Sequence, residues 1–239
     1  MLSKIKSMSL IGVDGYLVDV QVDVSGGMPA WDVVGLPDAS VKESKQRIRA
    51  ALRNVGVDLP SRKVIVNLAP ADTKKEGSCF DLPIAVGILR DLNIVTTDSY
   101  IDYVFIGELS LDGKLNRVNG ILPMCIEAFN LGIKKVIIPY DNRTEAGVIQ
   151  GLEVYPALSI NDVISHLNNE FLIEKFSTDI NMLFQQKNFY SIDFSDVKGQ
   201  ENIKRALEIA AAGGHNCLLI GNPRFWQDYD GQEITFNIA

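Results

Sequence analysis

The sequence has few cysteines, no excess of positive charge and no long apolar run. Its three cysteines, Cys79, Cys125 and Cys217, lie far apart and form no CxxC pair. This spacing argues against a zinc site and a disulfide framework, and it fits a reducing compartment. No stretch approaches the ~18 apolar residues of a membrane span, and the N-terminus lacks the apolar region of a signal peptide. We therefore expect a cytoplasmic protein without a membrane anchor.

The charge balance is acidic. Lys and Arg total 23 and Asp and Glu total 30, so the formal net charge is −7. A globally basic coat for nucleic acid is thereby excluded, and any contact with DNA must come from a local patch. The 46% hydrophobic content excludes a disordered chain. At roughly 100–200 residues per domain, the length predicts one full domain and part of a second.

The first part of the chain predicts a mixture of strands and helices. Four valines, at 18, 20, 22 and 24, alternate with polar residues, which is typical of a strand with one buried face. Residues 30–36 and 64–68 are also predicted to be extended. A helix capped by Asp38 or Ser40 follows the first of these segments and ends near Gly56. Residues 81–89 predict an apolar helix that tolerates Pro83 in its first turn.

A tight hairpin is predicted at Asp112-Gly113, followed by a helix over 120–131 and a strand over 135–138. This alternation indicates an α/β or α+β sandwich that ends at about residue 168. Residues 169–192 are polar and aperiodic, which is typical of a linker. A second unit then begins at 193, with a helix over 201–212 and an apolar strand over 217–220.

The glycine and proline loop after this strand opens like a phosphate-binding loop but lacks its key residues. A P-loop needs the pattern GxxxxGK[ST], because backbone N–H groups and the Lys neutralise phosphate charge. After Gly221, Asn222 and Pro223 the chain supplies neither the second glycine nor the Lys. The last residues, 224–239, also show no amphipathic period.

A shift of one base in the reading frame explains this tail. Read from the second base of the Arg224 codon, a permitted set of codons gives Gly-Ser-Gly-Lys-Thr. Joined to Gly221–Pro223, it completes a P-loop with the sequence GNPGSGKT. The Trp226 codon followed by any Gln codon fixes the second glycine, and Ser, Lys and Thr each come from a two-way choice. We therefore interpret 224–239 as a frame-shifted tail; the alternative is a genuinely divergent one.

Three long motifs resemble one family. They are VGLPDASVKESKQRIRAAL at 34–52, NLAPADTKKEGSCFDLPIA at 67–85 and FIGELSLDG at 105–113. In this order they resemble the ComM/YifB-type magnesium-chelatase-like AAA+ ATPases, and the resemblance runs from residue 1 to 223. It implies that residues 1–168 form a domain similar to the C-terminal domain of Lon proteases, with a ribosomal-protein S5-like fold. It also implies that 193–223 begin an incomplete AAA+ ATPase domain.

The resemblance implies a bacterial motor for the parent family. Such a protein uses ATP and Mg²⁺, forms a ring-shaped hexamer and processes DNA during natural transformation. In this chain, Val197 and Lys198 would approach the adenine, and Gly221, Asn222 and Pro223 would begin the phosphate loop. Because the segment lacks the P-loop Lys and ends before any Walker B carboxylate, we expect no ATP hydrolysis and no bound cofactor in this chain.

Peptidase chemistry is the competing activity that the Lon resemblance raises. Lon-type peptidases use a Ser nucleophile activated by a Lys. Alignment places Cys79 nearest the Ser position, with Ser78 adjacent, and Met124 at the Lys position. Met cannot accept a proton, and neither His166 nor His215 stands in a segment that returns to Ser78. We therefore expect no catalytic residues.

Four cations on the predicted helix after Asp38 are the candidate nucleic-acid contact. At ~100° per residue they fall within one ~80° stripe, and they are Lys42, Lys45, Arg49 and Arg53. Such a stripe can follow a phosphate backbone, and Lys74 and Lys75 could extend it. The alternative is an ordinary solvated face.

Other interpretations remain open. The chain could belong to a magnesium-chelatase-type remodelling subunit that acts on a protein partner, or it could be a stand-alone interaction module. Glu108 and Asp112 could bind a metal, but carboxylates beside a hairpin more commonly stabilise the turn.

Overall fold

The computed structural model describes residues 2–60, 62–178, 194, 197–213, 215 and 217. The chain divides into two compact units, residues 1–185 and 186–239. No helix among the described residues combines the length and the apolarity that crossing a membrane requires.

The first unit is built on a seven-stranded mixed sheet. Its strands are β1 (Leu2–Ile11), β2 (Asp14–Ser25), β3 (Ala30–Val34), β4 (Lys63–Ala69), β5 (Tyr103–Phe105), β8 (Lys135–Pro139) and β9 (Glu153–Ala157). The spatial order is β3-β4-β2-β1-β5-β8-β9. Strand β2 runs antiparallel to both β1 and β4, and the other four neighbouring pairs are parallel. The predicted mixed α/β class is therefore confirmed.

Strand β2 has the buried face that its alternating valines predict. Val18, Val20 and Val22 are fully buried and Val24 nearly so. Strand β1, to which the sequence analysis assigns no element, pairs with β2 along its whole length. Its buried positions include serines: Ser7 Oγ donates to the Phe105 carbonyl oxygen at 2.8 Å. These hydrogen bonds satisfy buried hydroxyl groups that would otherwise be costly.

Among the described residues of the first unit, five α-helices accompany the sheet. They are α1 (Ala39–Asn54), α2 (Asp81–Asp91), α3 (Ile121–Asn130), α4 (Arg143–Ala146) and α5 (Ile160–Leu167). Helices α2 and α3 pack against β1 and β2, and α1 packs against α2. At Gly87 in α2, a Cβ atom would lie 2.5 Å from Val22 Cγ2, so only glycine permits this close approach of helix and sheet.

Two local predictions are confirmed by hydrogen bonds. Asp38 caps α1, because its Oδ1 accepts a hydrogen bond from the Val41 amide at 2.8 Å. Asp38, rather than Ser40, therefore provides the cap. The hairpin consists of β6 (Glu108–Leu109) and β7 (Leu115–Asn116), and its turn contains Gly113 at φ +88°.

The first ten residues of the predicted linker are attached to the first unit. The Phe176 amide donates to the Val154 carbonyl oxygen at 2.9 Å, and the Thr178 amide donates to the Gly147 carbonyl oxygen at 2.9 Å. The Ile173 amide donates to His166 Nδ1 at 3.0 Å. These contacts continue past the predicted boundary at 168. Residues 179–192, the rest of the linker, lie outside the described residues, so the linker remains a prediction.

The second unit contains the helix that the sequence predicts. Helix α6 (Glu201–Gly213) follows Gly199 and Gln200, both of which have positive φ. Leu207 and Ala210 are its buried residues. Apart from Cys217, the predicted strand over 217–220 lies outside the described residues. So do Gly221, Asn222, Pro223 and the tail 224–239.

Candidate functional site

A groove of about 570 Å³ opens where the end of β1, the loop before α2, the hairpin and the start of α3 meet. Its lining includes the three residues that align with Lon-type catalytic positions: Ser78, Cys79 and Met124. The structure thus brings these distant residues into one groove. The other lining residues are Ser9, Leu10, Gly12, Asp38, Glu76, Gly77, Glu108, Arg117, Val118 and Asn119.

The described lining of the groove lacks the Ser–Lys pair that Lon-type peptidases use. Burial raises the pKa of Cys79 to about 12, so the thiol stays protonated at neutral pH. Ser78 Oγ donates a hydrogen bond to Glu108 Oε2. Although partial burial acts to raise the pKa of Glu108, hydrogen bonds from Ser78 and Asn116 lower it overall, which makes this carboxylate a weak base. Among the described lining residues there is no Lys or His, and Arg117 cannot accept a proton.

His166 does not supply a base to this groove. His166 does not line the groove; it packs on the rings of Tyr103 and Tyr155. Its Nδ1 accepts the Ile173 amide hydrogen, so Nε2 carries the proton and lies 3.0 Å from Tyr103 Oη. His215 belongs to the second unit.

We expect Cys79 to be unreactive in the native chain. With a pKa of about 12, its thiolate fraction at pH 8 is on the order of 10⁻⁴. Iodoacetamide followed by mass spectrometry should label the exposed Cys217 and leave the buried Cys79 and Cys125 unmodified. In guanidinium chloride all three should react. Native labelling of Cys79 as fast as Cys217, or casein cleavage that Cys79→Ala abolishes, would contradict this account of the groove.

The carboxylates of the hairpin are engaged in turn contacts. Asp112 Oδ1 accepts hydrogen bonds from Ser110 Oγ at 2.7 Å and from the Lys114 amide at 3.2 Å. These bonds lower the pKa of Asp112 to about 2. Glu108 accepts from Ser78 and, at 3.0 Å, from Asn116 Nδ2. Among the described residues no three metal-binding side chains form a group.

An ion pair that the sequence analysis does not foresee lies beneath the hairpin. Asp81 at the start of α2 is buried, and both its carboxylate oxygens accept hydrogen bonds from Arg47 of α1. The distances are 2.6 Å from Nε to Oδ2 and 3.0 Å from Nη2 to Oδ1. The Leu109 amide also donates to Oδ2, at 3.2 Å. Asp81 therefore connects α1, α2 and β6. Thirty-four residues separate the two partners, and no sequence pattern links them.

The candidate nucleic-acid residues form a solvent-facing stripe on α1, hereafter the α1 stripe. Lys42, Arg49 and Arg53 are exposed and Lys45 is half-buried. The core side of the same helix carries Val41, Ser44, Ile48, Ala51 and Leu52. Among the described residues, none of the four cations of the stripe has an ion-pair partner.

The possible extension of this stripe by Lys75 is wrong, because Lys75 is buried. Lys75 is fully buried, and its Nζ donates to the Pro70 and Thr73 carbonyl oxygens, the latter at 2.8 Å. Burial lowers the pKa of its ammonium group. Lys74 Nζ lies 2.7 Å from Glu76 Oε1 in an ion pair. Lys75 is therefore inaccessible to a phosphate backbone, whereas Lys74 is an exposed cation that Glu76 partly neutralises.

The predicted nucleotide-binding residues are only partly described. Lys198 is exposed, and the Val197 amide lies 3.3 Å from the Phe194 carbonyl oxygen. Gly221, Asn222 and Pro223 lie outside the described residues. Their position relative to Val197 and Lys198 is therefore not described. The role of these five residues stays a prediction.

Comparison with known families identifies the class of protein. A family model described as subunit ChlI of Mg-chelatase matches residues 20–142. A second model, described as magnesium chelatase, subunit ChlI, matches residues 193–225. The chain belongs to this magnesium-chelatase-like family.

Curated relatives place the chain more narrowly. It is 39% identical over 224 residues to the uncharacterized protein YifB of Escherichia coli, covering 93% of this chain and 43% of the relative. It is 38% identical over 225 residues to the competence protein ComM of Haemophilus influenzae, covering 93% and 44%. The chain is thus a ComM/YifB-type protein that spans less than half the length of these relatives.

The chain also has a more distant similarity to Lon proteases. Lon protease 2 of Bacillus subtilis is 24% identical over 170 residues, which cover 64% of this chain and 30% of the relative. The mixed sheet and this likeness agree with the coarse fold expectation.

Proposed function

We propose that this ComM/YifB-type protein is part of an ATP- and Mg²⁺-dependent motor that acts on DNA. Its first unit contacts DNA and has no peptidase activity. The observation that carries the DNA contact is the α1 stripe, in which Lys42, Lys45, Arg49 and Arg53 share one helix face without ion-pair partners among the described residues. The name of the relative ComM, a competence protein, supports a role in DNA uptake or processing. We also propose that the parent protein forms ring-shaped hexamers in the cytoplasm.

The chemistry of the α1 stripe favours phosphate contacts. Lys and Arg that neutralise phosphates release condensed counterions, which makes binding depend steeply on salt. The overall charge of −7 repels DNA, so such binding requires a concentrated local patch. Unpaired cations suit this role because a partnered cation must first give up its carboxylate.

Single-stranded DNA binding by the full chain tests this proposal. We expect fluorescence anisotropy with a labelled oligonucleotide to give a slope of log K against log salt of about −3, as four contacts imply for a single strand. Affinity should therefore fall about fiftyfold between 50 and 200 mM salt. Changing Lys42, Lys45, Arg49 and Arg53 to Glu should abolish this binding.

A matched variant controls for net charge. It changes four exposed cations elsewhere on the first unit to Glu, namely Lys4, Lys114, Arg117 and Lys134. This control variant should keep most of the wild-type affinity for single-stranded DNA. If wild type shows no binding at low salt, or if both quadruple variants lose affinity equally, the DNA role of the stripe is refuted.

A remodelling role is the second candidate. The family description, subunit ChlI of Mg-chelatase, favours a subunit that acts on a protein partner. This candidate gains weight if the DNA titration fails and the stripe variant loses a protein partner instead.

We also propose that residues 224–239 are the product of a shifted reading frame and that the chain is a truncated form of the motor. In support, the second family match ends at residue 225, two residues after the interrupted loop. The residues present do not fit ATP: after Pro223 there is no glycine at P-loop spacing and no Lys for the phosphates. We therefore propose that this chain does not hydrolyse ATP.

A further inference from the structure

A second, smaller cavity lies between the edge strand β3, helix α1 and the start of β4. Its volume is about 50 Å³. That exceeds the ~10–15 Å³ that one water needs on the same kind of measure. Apolar residues such as Val24, Leu59 and Val64 form part of its wall. The cavity therefore has room for a small polyatomic group against a partly apolar wall.

The polar side of this cavity consists of donors. Lys45, Arg49, Arg62 and Trp31 line it, and no described lining residue is acidic. None of the three cations has an ion-pair partner among the described residues. The indole N–H of Trp31 is buried and has no hydrogen-bond partner there either. Since buried polar groups are nearly always satisfied, an orphaned donor beside unpaired cations points to an absent acceptor.

We propose that this cavity, hereafter the β3 pocket, binds one phosphate group. Arg49 and Arg62 supply planar forks of N–H donors that match the oxygens of a phosphate, and Lys45 adds a third positive charge. The Trp31 indole donates one further hydrogen bond. The phosphate belongs either to a nucleic-acid backbone or to a free phosphorylated molecule. The proposal goes beyond the DNA role because it requires only the phosphate.

Arg62 and Trp31 distinguish the β3 pocket from the α1 stripe. Both stand outside α1, whereas Lys42 and Arg53 belong to the stripe but do not line the cavity. The two proposals therefore respond to different substitutions. The pocket depends on Arg62 and Trp31, and a DNA contact along the helix depends on Lys42 and Arg53.

The fluorescence of Trp31 reports binding in the β3 pocket. The chain has two tryptophans, so in the full chain carrying Trp226→Phe the indole emission comes from Trp31 alone. Inorganic phosphate and pyrophosphate should shift this emission saturably, whereas chloride at the same ionic strength should not. Arg62→Gln should weaken pyrophosphate binding about tenfold or more, as expected for loss of charge-assisted hydrogen bonds. The double control Lys42→Gln/Arg53→Gln should leave pyrophosphate binding within about twofold.

A second variant distinguishes loss of the binding contact from misfolding. Trp31→Phe keeps an aromatic ring but removes the indole donor. By calorimetry it should weaken pyrophosphate binding severalfold, with an unchanged circular-dichroism spectrum and melting temperature. Absence of a saturable shift, or equal losses in Arg62→Gln and the control, overturns the β3 pocket.

Competition distinguishes the two sources of phosphate. If an oligothymidylate displaces pyrophosphate from the pocket, the phosphate is that of a nucleic-acid backbone. If pyrophosphate shifts the fluorescence emission of Trp31 while the oligonucleotide does not compete, the ligand is a free phosphorylated molecule. In that case the β3 pocket stands even where the DNA role of the α1 stripe fails.

Discussion

Replacing Arg47 with Met is expected to lower the free energy of unfolding by roughly 3–5 kcal/mol, the usual effect of removing one partner of a buried ion pair. The Asp81 side chain is 1% exposed, and two of its three described hydrogen bonds come from Arg47. Without the guanidinium, only the Leu109 amide remains to stabilise the buried carboxylate. Urea denaturation of the full chain, followed by circular dichroism, measures this loss.

The pH dependence of the same variant has a definite sign. Burial raises the pKa of Asp81 to about 6 even with Arg47 present, and loss of Arg47 raises it further. A carboxyl group whose pKa is raised by folding contributes stability below its unfolded pKa, and this contribution disappears as pH rises through the folded pKa. The Arg47→Met variant should therefore be more destabilised at pH 8 than at pH 5, where Asp81 takes up a proton.

Two further variants serve as controls. Arg49→Met removes an exposed cation two positions along the helix and should change stability by about 0.5 kcal/mol or less. Adding Asp81→Asn to Arg47→Met should recover part of the loss at pH 8, because a neutral amide replaces the unpaired charge. A loss below about 1 kcal/mol in Arg47→Met, or a larger loss at pH 5 than at pH 8, would show that the ion pair does not support the fold.

Local patterns predicted those elements whose buried positions carry apolar residues or whose ends carry strong caps. The valines of β2 and the Asp38 cap of α1 are examples. Strand β1 escaped prediction because Ser3, Ser7 and Ser9 occupy buried positions and hide the apolar alternation. Ser3 and Ser7 donate hydrogen bonds to Asp91 and to the Phe105 carbonyl oxygen, distant partners that a local pattern cannot show.

The groove was predictable only through the resemblance to Lon proteases. That alignment paired Cys79 with Met124, and the structure places both in the same groove. The pairing of Arg47 with Asp81 and the burial of Lys75 depend on tertiary contacts. Lys75 looks like a surface cation in the sequence, yet backbone carbonyl oxygens surround its ammonium group. The β3 pocket likewise needs the fold, because it combines residues from separate segments.

The second prediction concerns the codons that follow the interrupted phosphate loop. The amino acids of 224–228 permit many codon combinations, and few of them encode GSGKT when read from the second base. If the frame is shifted, the codons must be those that encode GSGKT from the second base. The Arg224 codon must then end in G, and the Phe225, Gln227 and Asp228 codons must supply Ser, Lys and Thr. A genuinely divergent tail has no reason to make these choices together.

Sequencing the DNA that encodes residues 221–239 is the most direct test of this account. The account predicts that removal of one base at codon 224 yields GNPGSGKT, and that translation in this frame extends the magnesium-chelatase family match beyond residue 225. The contradicting result is a set of codons whose shifted reading lacks the Lys or the Thr of the loop. That result would leave this chain with a tail of its own and no relation to a nucleotide-binding loop.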